Sequence, residues 1–440
     1  MKPMIQLKDT LLFVTAFLLA TFGFMSIAHA VVPAPDGGYP GQNTAEGQSA
    51  LLHLAGGTYN TALGWASLRF NATGNLNTGV GAATLLKNTA DNNTATGAGA
   101  LLTNTTGASN TANGTFALFN NTTGNSNTAI GLQALFGNTT GGFNTAIGLH
   151  ALISNTTASD NSAVGAAALF NNTTGGDNTA IGDLALSANT IGGTNTAIGA
   201  QALLNNTTGS LNTAIGYQAL MSNIGADNTA AGVGALGSNT TGVANTAFGL
   251  DSLGNNTTGT NNTAFGVGAG QNVTTANDVI CIRADGANVD NSCFIGNIRG
   301  MTTAINDAIP VLIDSLGQLG TLSSSRRFKN QIKPMDKASE VVLALRPVTF
   351  HYKSDKANRP EFGLIAEEVA EVNSDLVVRD KDGEIYTVRY DAVNAMLLNE
   401  FLKEHRKVEQ MQKQIDALTA GLQKVSTQLA TASPSLADSN

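Results

Sequence analysis

Residues 127–143 read Asn-Thr-Ala-Ile-Gly-Leu-Gln-Ala-Leu-Phe-Gly-Asn-Thr-Thr-Gly-Gly-Phe, and this stretch decides the fold because it recurs. The same start returns at Asn60, Asn77, Asn93, Asn110, Asn144, Asn161, Asn178, Asn195, Asn212, Asn228, Asn245 and Asn262. The spacing is seventeen residues, shortened to sixteen before Asn93 and Asn228, both times in a linker of Asn-Thr-Thr-Gly type. A strict internal period is the signature of a repeat architecture. Seventeen residues are too few for a helical hairpin, and Asn-Thr-Ala is poor helix material. Two short strands and two turns per unit fit better, stacked as a mainly β solenoid at about 4.8 Å per coil.

Each position in the unit has a physical task. A glycine stands four residues after every leading Asn, from Gly64 to Gly266, as expected where backbones turn or approach closely. A leucine stands eight after it in every copy but the last, as Leu68, Leu118, Leu152 and Leu220. The position before the glycine is mostly aliphatic or aromatic: Leu63, Val80, Ile130, Ile147, Val164, Ile181, Ile198, Ile215, Phe248 and Phe265. These two positions are read as two apolar rungs. Thr96 and Asn113 interrupt the first rung, which predicts weaker packing there or polar partners within the stack. The repeated Asn and Thr read as ladders, each side chain bonding its equivalent one coil away. The unit resembles the head repeats of trimeric autotransporter adhesins, whose Ser-x-Ala-Ile-Gly coils form a roll of three chains side by side. The resemblance covers about residues 58–275. It implies a trimer but not that family's membrane anchor, because this chain ends in charged helix.

Working outward, charge marks the domain limits. From Leu51 to Thr275 there are two basic residues, Arg69 and Lys87, and six acidic ones. From Ser324 onward there are seventeen of each sign. The net charge is −8 with no basic stripe, which argues against nucleic acid as a partner. Lys2 and Lys8, the apolar run Leu11–Ile27 and Ala28-His-Ala30 read as a signal peptide over 1–30, so export is expected and no later segment spans a membrane. A linker over 31–57 precedes the solenoid at 58–275, and a β neck of short strands and hairpins follows at 276–323. The cysteines Cys281 and Cys293 are twelve apart, and in an exported chain they read as a disulfide across a hairpin, with two free thiols as the alternative. Neither a metal site nor a cofactor is expected.

The last third changes again. Helix, strand, strand-into-helix and an Asp-Gly hairpin are expected between Met335 and Val393. Then Leu397, Phe401, Val408, Met411, Ile415, Leu418, Leu422, Val425 and Leu429 recur three and four apart, the seam of a coiled coil over 395–431, with a disordered tail over 432–440. "SSSRRFKNQIKPM" from Ser323, "LRPVTFHYK", "FGLIAEEVAEV" and "LLNEFLKEHRKVEQMQKQIDAL" together resemble the intramolecular chaperone domain of phage endosialidase tailspikes, the peptidase S74 domain. Over residues 324–394 and the coil, the resemblance implies a domain that trimerises, guides folding of the β-rich fibre ahead of it, and then cuts itself off. It implies a catalytic Ser324 and Lys329, cutting the Ser323–Ser324 bond. Ser325 departs from the family's usual Asp after the serine.

Lysine serves as a base only when neutral, which takes burial or nearby positive charge, and Arg326 and Arg327 stand close in sequence. His351, Glu367 and Glu368 are read as structural. The expected function is an exported homotrimeric, adhesin-like fibre with a surface glycan or protein as ligand and a self-cleaving chaperone. One alternative is a phage-type tail fibre or tailspike that binds or degrades glycans. Six scattered acids offer little for degradation. The other alternative is the same fibre on a permanent, uncut trimerising foot.

Overall fold

The computed structural model describes residues 39–432, apart from 300, 302, 304, 306, 307, 315, 316 and 381. The expected signal peptide and all of the expected tail beyond Ala432 lie outside the described residues. The chain divides after Met301 into two units.

In the first unit each repeat contributes one three-residue strand, from β1 (Thr44–Glu46) to β14 (Thr263–Phe265). Two longer strands follow, β15 (Val279–Ile282) and β16 (Ser292–Ile295). All sixteen form a single parallel sheet in chain order, with Thr over Thr and Ala over Ala, as where Thr128, Ala129 and Ile130 meet Thr145, Ala146 and Ile147. The solenoid is thus present, but with one strand per coil instead of two. The leucine side is closed by turns. Gln133 and Leu135 lie at φ 57° and 52°, and the Leu135 N–H still donates to Ala151 O at 3.0 Å. Left-handed residues placed two apart keep bonding coil to coil without strand geometry.

The packing corrects the expectation of two apolar rungs. Successive strand side chains point to opposite faces. The central alanine therefore goes inward, fully buried, with Ala134 and Leu135 from the turn, while Thr128 and Ile130 share the outer face. Ile130 is 39% exposed and Phe265 45%. Thr96 and Asn113 are outward and exposed, so they open no hole in the core. The same fact explains a unit that a search for apolar residues passes over. Asn43-Thr-Ala-Glu46-Gly47 carries a glutamate on the outer face, and it starts the sheet. At the other end β15 and β16 continue the stack, so the strands run from 44 to 295, beyond the 58–275 spelled by the repeat.

Two asparagine ladders hold the coils together. Asn127 Nδ2 donates to Asn110 Oδ1 at 3.1 Å and to Gly141 O at 2.9 Å. Asn138 Nδ2 donates to Asn121 Oδ1 at 2.8 Å and to the same Gly141 O. Both columns are buried, which is tolerable because the amides find partners inside the stack. The first ladder ends where Val279 N–H donates to Asn262 Oδ1 at 2.9 Å.

The cysteine pairing is also corrected. Both thiols are free. Strands β15 and β16 are parallel, not a hairpin, and Cys281 registers with Phe294 while Cys293 registers with Ile280. Cys281 therefore faces the core and Cys293 the solvent. Burial pushes the Cys281 thiol up to about 11, helped by Cys293 and Asp285. Since the thiolate is the reactive form, one maleimide per chain is expected at about pH 8, on Cys293, with Cys281 labelled only after unfolding. Two labels added at equal rate, or none without reductant, would contradict this arrangement.

The second unit is small and mixed. A two-stranded hairpin, β17 (Leu312–Ile313) with β18 (Leu319–Gly320), precedes a 3-10 turn at Arg326–Phe328 and a longer 3-10 helix at Asp336–Ala344. Then come β19 (Val348–Phe350) with β20 (Glu361–Gly363), helix α1 (Ala366–Val372), and β21 (Val377–Arg379) with β22 (Ile385–Val388). Its core gathers Val369, Leu376, Val377, Val388 and Val393. One continuous helix, α2 (Tyr390–Ala432), is the last described element and is about 64 Å long at about 1.5 Å per residue.

Candidate self-cleavage site

The segment Ser323–Lys329 builds its geometry locally. Ser325 is extended, at φ −64° and ψ 139°, and the single 3-10 turn Arg326–Phe328 follows it. Phe328 N–H donates to Ser325 O at 3.1 Å and Lys329 N–H to Arg326 O at 3.0 Å. One tight turn carries the chain back on itself, so the side chain of residue 329 returns over residue 324. Lys329 Nζ lies 3.0 Å from Ser324 Oγ. Arg327 is drawn aside, its guanidinium carbon 4.7 Å from the centre of the Phe328 ring. Ser325 N–H donates to Ser323 Oγ at 3.3 Å, and the hydroxyl that Lys329 Nζ bonds is that of Ser324. All seven residues are exposed to solvent in the single chain.

Within this arrangement the ammonium donates to the hydroxyl. A base must do the reverse and accept the hydroxyl proton, which requires the neutral amine. The pair thus has the right reach, and the missing ingredient is exclusion of water.

The element after the turn is tied to α2 by a cluster whose members lie about sixty residues apart, with no sequence signal to mark them. Ser339 is fully buried. Its hydroxyl donates to Glu400 and accepts from Asn399 Nδ2 at 2.7 Å and Lys403 Nζ at 3.3 Å. Lys403 Nζ also reaches Glu400 Oε1 at 2.6 Å. Lys403, then Ser339, hold the Glu400 carboxyl below the usual carboxylate range, and Glu400 in turn raises Lys403. A depressed carboxyl stabilises the fold above its ordinary pKa, and that contribution is lost as pH falls through the folded value. The helical circular dichroism signal, which comes almost wholly from this unit, should melt earlier on going from about pH 5 to about pH 3. Glu400→Gln should flatten that dependence. An unchanged pH slope in the variant would remove Glu400 from the account.

Of the residues read as structural, Glu368 accepts from Arg346 Nε at 3.1 Å on the surface, a pair of small energetic value.

Residues 324–378 match the family model described as the chaperone of endosialidase, peptidase S74, and the match opens on Ser324 itself. Behind its long β-solenoid the chain therefore carries a C-terminal segment similar to this chaperone family. Comparison with the curated proteins and with the solved structures gave no significant match. Among the described residues no helix is long and apolar enough to cross a membrane.

Proposed function

We propose that the protein is an exported homotrimeric fibre whose C-terminal unit acts as an intramolecular chaperone and then cuts itself away between Ser323 and Ser324. The observation that carries this reading is the 3.0 Å approach of Lys329 Nζ to Ser324 Oγ at the first residue of the matched segment. The step is an acyl shift. Ser324 Oγ attacks the Ser323 carbonyl carbon, Lys329 takes the hydroxyl proton and delivers it to the departing Ser324 nitrogen, and the peptide C–N bond breaks. Water then hydrolyses the ester. Because nucleophile and substrate share one chain, proximity replaces binding and one turnover is enough.

Trimerisation is supported by apolar surface that one chain leaves open. The outer column of the sheet keeps Ile130, Ile147, Ile181, Ile198, Ile215, Phe248 and Phe265 in register and exposed. The seam residues of α2, from Phe401 to Leu429, are 45–73% exposed. A heptad seam so exposed along one helix calls for copies of itself. Packing of three chains would also bury the exposed Ser324–Lys329 pair, so the cut follows assembly. The Ser324→Ala chain, which stays whole, should sediment as a trimer. Ile415→Asp should sediment as a monomer and remain uncut. If the Ile415→Asp monomer cleaves at the wild-type rate, assembly does not complete the site.

A further inference from the structure

Between Leu51 and Thr275 the solenoid carries two cations, Arg69 and Lys87, and folding brings both to one corner. His53 N–H donates to Arg69 O at 3.0 Å and Phe70 N–H to Leu86 O at 3.1 Å, so residues 53, 70 and 87 follow one another on successive coils. The His53 imidazole lies on the Phe70 ring, with centroids 5.0 Å apart and planes 5° apart. The Arg69 guanidinium sits over the same ring, its carbon 5.2 Å from the centroid. Arg69 Nε is buried with no hydrogen-bond partner. Among the described residues neither Arg69 nor Lys87 forms an ion pair. His53, Phe70 and Lys87 are exposed.

This corner does not contribute to the core, which is built from Ala, Leu and Asn. Stacking on a ring fixes the plane of a guanidinium, and with Nε buried the two Nη groups are the donors left for a ligand. A carboxylate is the partner these two groups fit best, through two parallel charge-assisted hydrogen bonds. Beside it the exposed edges of the stacked Phe70 and His53 rings form an apolar ridge, against which the C–H groups of a sugar ring can pack. Lys87, one coil on and so about 4.8 Å further, supplies a second point charge.

We propose that this edge of the first coils binds an acidic saccharide, with a uronic-acid carboxylate on Arg69, its ring on Phe70 and His53, and the neighbouring carboxylate on Lys87. The site would give the rod a ligand of its own, and it stands whether or not the C-terminal unit cuts itself.

The test uses the purified mature protein, cut or uncut, and three soluble polymers: polygalacturonate, neutral dextran and polyglutamate. Binding to polygalacturonate is expected, weakening with added salt, with none to dextran and at least tenfold weaker binding to polyglutamate. Arg69→Gln should weaken polygalacturonate binding by about tenfold or more. Phe70→Ala should weaken it several-fold without altering the response to polyglutamate. Equal binding to polyglutamate would overturn the saccharide assignment and leave a general anion patch. Unchanged affinity in Arg69→Gln, with the thermal melt also unchanged, would overturn the site itself, as would wild-type protein that ignores polygalacturonate.

Discussion

Purified wild-type protein is expected to separate into two fragments that meet at Ser323–Ser324, while Ser324→Ala and Lys329→Ala each leave one whole chain. Intact mass reads this directly. The effect is all-or-none because the two side chains form one reacting unit. Without the hydroxyl there is no nucleophile, and without the amine nothing takes its proton. Lys329→Arg discriminates further, since a guanidinium keeps the charge and the reach but does not become neutral. That variant should also stay whole. The hydroxyl bonded to Lys329 Nζ is that of Ser324, so Ser325→Ala should leave the cut in place. A wild-type chain that remains intact through assembly would overturn self-cleavage and leave the permanent trimerising foot. A cut that persists in Ser324→Ala would reassign the nucleophile to Ser323 or Ser325.

The second large effect belongs to the solenoid. Gly148 has φ +140°, a region that side chains rarely enter, and a Cβ there would lie 2.3 Å from Gly165 O and 2.7 Å from Gly165 C. Neither backbone can yield, because Gly148 N–H is bonded to Ile130 O and Gly165 N–H to Ile147 O, each at 2.8 Å. Gly148→Ala should therefore destabilise the stack by at least ~3 kcal/mol, combining left-handed strain with a backbone clash. Gly56→Ala is the control, since a Cβ there meets nothing within 4 Å. Thermal or denaturant melts of the β signal compare the two. Equal stability of the variants would show that coils separate more easily than the register implies. One such glycine per coil is the reason the sequence repeats it without exception.

The seventeen-residue period, the invariant glycine and the inward leucine were legible because a stack forces equivalent residues onto one another. The asparagine ladders followed from the same repetition. Misreadings arose where direction mattered. Isoleucine before glycine looks like core by composition, yet strand alternation gives the inside to alanine, and the first unit was overlooked because Glu46 occupies an outward place. The cysteine spacing suggested a staple, but parallel strands turn Cys281 in and Cys293 out.

For the C-terminal unit the ordered motifs and the Ser324–Lys329 spacing were visible, since a tight turn between residues five apart is a local matter. The Ser339, Asn399, Glu400 and Lys403 cluster was not, because nothing local relates residues on different elements. The corner of His53, Arg69, Phe70 and Lys87 lies between these cases. Its members are scattered in a sparsely charged sequence, and only the coil period adds them into one edge. By itself the sequence determined that the chain stacks and where its character changes, because repetition and charge are properties of the string. Tertiary structure alone decided which side chains face the core, the solvent or one another, because that depends on backbone direction at each residue and on contacts across many coils.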